Sequence, residues 1–220
     1  MNVLSPKRVM ILIDGANLLY GLRAKSGRER MYVDRNELVQ AIFRVLVQER
    51  PVPFPTWPKE LAGKPVEFVT VPVNYHQVSD PQVQKQAKFV LRLEQVGFEV
   101  VQCPVDFRGL PVSGYEQFDK DFRPESPDIA GLLTQRALDD IESYDIAVVV
   151  SGENGLLPLY AKLQEQEKHV VVFAFMGYCS EAVKTCKDIN ELFYIEELRY
   201  VVKTSIEKGG SGERSKLAAG

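Results

Sequence analysis

Three acids, an amide and a hydroxyl stand where this chain could do chemistry. The stretch Val9-Met-Ile-Leu-Ile-Asp-Gly-Ala-Asn-Leu18 is an apolar run that stops at Asp14, with Asn17 three residues on. Val148-Val-Val-Ser-Gly-Glu-Asn154 stops in the same way at Ser151 and Glu153, and Asp128 opens a helical pattern after a long mixed stretch. Such runs read as buried parallel strands, and open α/β sheets bind ligands at the carboxyl ends of their strands. Carboxylates gathered there repel, so their pKa values rise or a cation compensates. A hard divalent ion, Mg2+ or Mn2+, suits this role, because it takes oxygen ligands and is held by few carboxylates together with waters and substrate phosphates. It can activate water and stabilise charge developing on a phosphoryl oxygen. In that reading Asp14, Asp128 and Glu153 hold the metal. Asn17 fixes a ligand carboxylate or a phosphate by hydrogen bonding, and Ser151 orients the loop or a water. Each acid also has a plainer reading: Asp14 and Asp128 as helix N-caps, Glu153 as a solvated loop residue.

The elements that must position these groups follow from periodicity. Apolar, β-rich runs at Val9–Ile13, Val66–Val73, Phe98–Cys103, Ile146–Val150 and His169–Phe175 read as strands, with Phe193–Ile195 as a short last one. Helical patterns lie between them at Asp34–Val47, Pro81–Val96, Pro127–Ile141, Leu156–Glu167 and Glu181–Lys187. This alternation predicts an α/β fold with a mainly parallel sheet. With the five main strands in the order 3-2-1-4-5, the first and fourth are neighbours where the order reverses, which brings Asp14 beside Ser151 and Glu153. Local signals agree. Asp34 with Glu37 forms a capping box, Pro81 suits a first helical position, and Gly97 suits a left-handed C-cap.

Residues 1–206 read as a single domain holding two irregular segments. Pro51–Pro65, with five prolines around Trp57, reads as an extended insertion of polyproline character, either a pinned surface loop or a protein-docking segment. Residues 104–126 read as a long loop, a candidate lid or substrate clamp. Residues 207–220, Gly- and Ser-rich, read as a disordered tail or linker.

Composition narrows the partners. The 220 residues are 45% hydrophobic, enough for a full core, and the net charge of −3 gives no global attraction to nucleic acid. A local basic surface would be needed to hold phosphates. Arg23, Lys25, Arg28 and Arg30 follow Asp14 closely, and Lys85, Lys88 and Arg92 share one helix face. Both sets also read as solvated surface. Tyr75 and His76, after the second strand, suit base stacking and phosphate contact, or a ring packed on the sheet and an exposed imidazole. Cys103, Cys179 and Cys186 form no C-x-x-C pair, and the two histidines, His76 and His169, lie on different elements. Reduced packing thiols are therefore expected and a zinc site is not. No run approaches the ~20 apolar residues of a membrane span, and no cleavable leader is evident. The expectation is a soluble, cytoplasmic protein, with self-association left open.

The blocks Ile11-Leu-Ile-Asp-Gly-Ala-Asn17, Pro127-Asp-Ile-Ala130 and Tyr144-Asp-Ile-Ala-Val-Val-Val-Ser-Gly-Glu153 resemble the NYN domain family, LabA-like proteins included, of the PIN-like nuclease superfamily. The likeness runs from about Val9 to Ile195, and Ser180, Asp188 and Leu192–Ile195 resemble the family's last block. It implies a three-layer, Rossmann-like PIN fold and metal-dependent cleavage of RNA, single-stranded or structured. Asp14, Asp128 and Glu153 would be the metal acids, Asn17 the motif amide and Ser151 the loop hydroxyl. Two departures stand out. Where the family reads S-G-D-S-D-F this chain has Ser151-Gly-Glu-Asn-Gly-Leu156, so Glu153 keeps one charge and Gly155 loses another. Arg123-Pro-Glu-Ser-Pro127 replaces a neighbourhood that often carries Lys. Three acids instead of four imply weaker metal binding, unless Asp119, Asp121 or Glu125 of the long loop substitutes. The alternative function is a catalytically degenerate PIN-like module that binds RNA or a protein. A phosphatase or nucleotide-binding Rossmann domain is disfavoured, because no G-x-G-x-x-G or P-loop follows the first strand.

Overall fold

The computed structural model describes residues 7–26, 31–48, 59–72, 81–105 and 127–204. In chain order the elements are β1 (Lys7–Asp14), α1 (Gly15–Ser26), β2 (Met31–Val33), α2 (Arg35–Gln48), β3 (Lys59–Leu61), β4 (Val66–Pro72), α3 (Pro81–Gln95) and β5 (Glu99–Val105). Then follow α4 (Ile129–Asp139), β6 (Ile146–Val150), α5 (Leu157–Glu165), β7 (His169–Ala174), α6 (Glu181–Lys184), β8 (Glu191–Tyr194) and β9 (Val202–Thr204).

The central sheet is parallel throughout, with the path β5-β4-β1-β6-β7-β8. The five main strands thus run in the expected order, and two further strands enlarge the sheet. One is β8, at the far edge. The other is β3, which corrects the reading of 51–65 as wholly extended insertion. β4 pairs only with Leu12–Asp14, leaving the first residues of β1 with an open edge, and Lys59–Leu61 pairs there with Lys7–Val9. This three-residue stretch carries no proline, so its backbone can join a ladder.

Alternation along β1 divides the core between two faces. Val9, Ile11 and Ile13 pack with Leu18 and Leu22 of α1, Leu38 and Ile42 of α2, and Val90 and Leu93 of α3. Met10 and Leu12 pack with Leu133 of α4, Leu159 and Leu163 of α5, and Val183 of α6. Helices on both faces make three layers. β6, Ile-Ala-Val-Val-Val, is buried at every position, as a central parallel strand requires. A two-stranded antiparallel sheet, β2 with β9, was not anticipated; Lys203 Nζ donates to Asp34 Oδ2 across it at 2.6 Å. Asp34 also accepts from the Glu37 amide at 3.2 Å, as an N-cap should, and Gly97 has φ 95°, as its C-cap position requires. The expected helix at Glu181–Lys187 is shorter, ending at Lys184.

Trp57, Tyr75, His76, Arg28, Arg30, the segments 51–58 and 106–126 (with Asp119, Asp121, Arg123 and Glu125) and the tail 207–220 lie outside the described residues. No helix among the described residues is long and apolar enough to cross a membrane.

Candidate active site

The carboxyl ends of β1 and β6 form the reversal point of the sheet. To one side the chain builds β4 and β5, to the other β7 and β8. Ile13 pairs with Val150, so Asp14 and Ser151 are the next residues on adjacent strands. Ser151 Oγ donates to Asp14 Oδ2 at 3.1 Å, and the Gly152 amide donates to Asn17 Oδ1 at 3.0 Å. These two bonds stitch together parts of the chain more than 130 residues apart. The Glu153 amide donates to Ser151 Oγ at 3.2 Å, so the hydroxyl both gives and receives. Asp14, Asn17 and Ser151 are all buried.

The segment after Asp14 is helical, although no helix was expected between the first strand and Asp34. Helix α1 begins at once with Gly15, and the Asn17 amide donates to Asp14 Oδ1 at 2.9 Å, the pattern of an N-cap. Asp14 is therefore both cap and strand-end acid. Burial pushes its carboxyl above the ordinary carboxylate range; the Asn17 amide and the Ser151 hydroxyl pull it down, and the charge of Glu153 raises it further. That coupling puts Glu153, which is exposed, within electrostatic reach of Asp14.

Glycine at 152 permits this geometry. A Cβ there would lie 2.5 Å from the Tyr178 carbonyl oxygen and 2.6 Å from Cys179 Cα. The loop is thus pressed against the chain leaving β7, and the Ser180 amide donates to the Gly152 carbonyl at 3.0 Å.

Asp128 is exposed and caps α4, its Oδ1 accepting from the Gly131 amide at 2.8 Å. Helix α4 packs on β1 and on the turn Asn154–Leu156. Gly155 lies between that helix and the acid loop: a Cβ at 155 would be 3.3 Å from Ala130 Cβ and 3.8 Å from Glu153 Cγ. The position where the resemblance implies a further acid thus faces both Asp128's helix and Glu153.

Among the described residues, no three His, Cys, Asp or Glu side chains form a group able to hold a metal ion. The donor set instead contains a buried carboxylate, electrostatically coupled to an exposed one. This fits a single hard cation whose remaining ligands are water and substrate oxygen; it does not fit a closed protein cage.

Arg23 is exposed on α1, nine residues beyond Asp14, so roughly 13 Å further along the helix axis. The backbone of Lys25 is in the same helix. Lys85, Lys88 and Arg92 are exposed along α3, on the opposite face of the sheet from α4. The cysteines are free; Cys103 is buried, its thiol pushed up to about 11 chiefly by burial, as suits a packing residue.

Sequence reading missed two features. Glu67, inside the apolar run of β4, is fully buried and forked by Arg35, whose Nη2 and Nε donate to it at 2.6 and 2.9 Å. Both residues line a cavity of about 680 Å3 between α1, α2 and α3. A charged residue interrupting a buried strand was the available signal. The other is Tyr178, just beyond the carboxyl end of β7, where the rule that singled out Asp14 applies equally.

The sequence matches the NYN domain family over residues 8–194. A solved structure of a protein of unknown function from Vibrio parahaemolyticus is similar, with 22% identity and a TM-score of 0.60. The match covers 90% of this chain and 98% of that one, and at this identity it supports the fold alone. No curated protein matches the chain.

Proposed function

The chain belongs to the NYN domain family, and from that premise we propose that it is a metal-dependent ribonuclease acting at the carboxyl ends of β1 and β6. The carrying observation is the bonded pair Asp14–Ser151 beside Glu153 at the point where the strand order reverses. Asp14 and Glu153 would hold Mg2+ or Mn2+, with waters and substrate oxygens completing the shell. Asp128, at the start of α4, forms no three-acid group with them as they stand and would have to approach to join. When bound, the ion supplies Lewis acidity to a phosphoryl oxygen and makes water a better nucleophile. The chain's own groups do the rest. Ser151 holds one oxygen of Asp14 in place and the Asn17 amide holds the other, which fixes the carboxylate's plane. Asn17 fixes the Glu153 loop through Gly152. Because burial raises the proton affinity of Asp14, a proton and a cation would compete for its carboxylate.

RNA is the proposed substrate, since NYN domains generally act on it. Arg23, Lys25, Arg28 and Arg30 would supply the local positive surface that a net charge of −3 otherwise lacks, and Tyr75 and His76 would contact base and phosphate. The test is cleavage of single-stranded and structured RNA with Mn2+, comparing wild type and Asp14→Asn. Activity in the first and its loss in the second are expected; equal activity refutes the assignment.

Gly155 and the lack, among the described residues, of a three-residue metal group favour one second reading, a PIN-like module that binds RNA or protein without cutting. It requires binding without saturable Mn2+ uptake in calorimetry.

A further inference from the structure

Two half-exposed tyrosines meet beside the acid loop. Tyr20 on α1 and Tyr178 in the turn after β7 are 52% and 40% exposed. Their rings stack with centroids 6.2 Å apart and planes 28° from parallel. The Arg23 guanidinium lies 6.0 Å from the centre of the Tyr20 ring. Tyr144 and Tyr160 are fully buried, and Tyr32 and Tyr200 are exposed as well; Tyr20 and Tyr178 stand at the surface as a stacked pair in company with a cation.

Gly21 explains why they meet. A Cβ at 21 would fall 2.5 Å from Phe175 Cδ2 and 2.8 Å from Phe175 Cβ, so α1 lies directly against the end of β7. That approach brings the preceding residue, Tyr20, onto Tyr178. The pair is joined to the acid loop from both sides. Asn17, nearly one turn before Tyr20, accepts from the Gly152 amide, and the Tyr178 carbonyl is pressed against Gly152. The rings and the carboxylates therefore share one rigid junction at the carboxyl edge of the sheet.

We infer that Tyr20 and Tyr178, with Arg23 beside them, form a stacking surface for unpaired nucleobases of the RNA strand flanking the scissile phosphate. An aromatic face offers any base a partner irrespective of sequence, and a neighbouring guanidinium complements the phosphate. Flat rings beside a guanidinium suit a polyanion that also presents π-faces, and a nucleic acid combines the two. The substrate then is single-stranded or looped RNA, since duplex bases are stacked on one another and present no free face. This rests on the ribonuclease reading for its substrate and refines it.

The experiment measures anisotropy of a short fluorescein-labelled mixed-sequence oligoribonucleotide, single-stranded or annealed to its complement, in an Asp14→Asn background. Tyr20→Ala/Tyr178→Ala should weaken single-strand binding about tenfold or more, from the stacking lost. Tyr20→Phe/Tyr178→Phe should bind like the parent, because the ring and not the hydroxyl stacks, and duplex binding should change little. Unaltered single-strand binding by the alanine variant overturns the inference. So does an equal loss on duplex, a parent that binds no RNA, or a change in self-association by sedimentation with RNA binding intact. Cleavage by the wild type, measured alongside, separates the two readings. Ring-dependent binding without cleavage refutes the nuclease and keeps the stacking surface; cleavage with ring-independent binding does the reverse.

Discussion

Replacing Asn17 by alanine removes the acceptor that joins β1's end to the loop after β6. In the folded protein the Gly152 amide donates to Asn17 Oδ1 at 3.0 Å, in a buried setting. Without that oxygen a buried N–H is stranded, which costs about 1–3 kcal/mol. In a chain of this size each kcal/mol lowers the thermal midpoint by about 2–4 °C. Asn17→Ala should thus melt roughly 2–12 °C below wild type. Asn17→Asp keeps an acceptor, so the bond survives, but a second carboxylate now stands beside a buried Asp14 whose pKa is already raised. Its deficit should grow as pH rises from about 4 to 7, because both acids must then ionise together. Adding Mn2+ should shrink that deficit, while leaving the alanine variant's deficit unchanged. Thermal melts of the three proteins across pH, with and without Mn2+, read all of this. An alanine variant melting within about a degree of wild type would show that the bond tethers nothing. An aspartate variant with a pH-independent deficit would refute the charge coupling.

Asp14→Asn keeps the N-cap and removes the charge. Because the folded pKa of Asp14 is raised above 3.8, its stabilising contribution is complete below that value and is lost as pH rises through the folded pKa. Without metal the variant should therefore gain on wild type as pH rises above about 4; a constant difference in midpoint would oppose this. Gly152→Ala forces a methyl onto the backbone of Tyr178 and Cys179, so a loss of about 1–3 kcal/mol and of cleavage is expected. Gly177→Ala, with open space around it, is the control that should melt like wild type. Gly155→Asp adds a carboxylate facing Glu153 and the start of α4, and calorimetry should show Mn2+ binding tightened by about tenfold. Glu67→Ala leaves the Arg35 guanidinium largely buried without its partner, costing about 3–5 kcal/mol and roughly 6–20 °C in midpoint.

Much of the frame was legible from local pattern. Uninterrupted apolar runs identified β1, β6 and β7, because a strand buried on both faces carries few polar residues. β4 and β5, broken by Glu67 and by Glu99 and Gln102, still read as strands from their β-branched and aromatic content. Their alternation with helices fixed the fold class, and the order with β1 beside β6 followed from the reversal that parallel sheets make. What stayed hidden depends on contacts between distant segments. β3 exists because β4 leaves half of β1 uncovered; three residues carry too little periodicity to announce that. Helix α1 was not among the helical patterns read from the sequence, because its Gly-Ala-Asn start carries little helical signal; its Leu18 and Leu22 pack on the sheet. The residue types Asp14, Asn17, Ser151 and Glu153 were visible as candidates, and so was the strand-end position of each. Their pairing, Asp14 with Ser151 and Asn17 with Gly152, came from the fold, as did the stacking of Tyr20 on Tyr178. Hydrophobic periodicity is written residue by residue along the chain. A buried hydrogen bond or a close backbone approach through Gly21 and Gly152 arises where two segments far apart in sequence are pressed together.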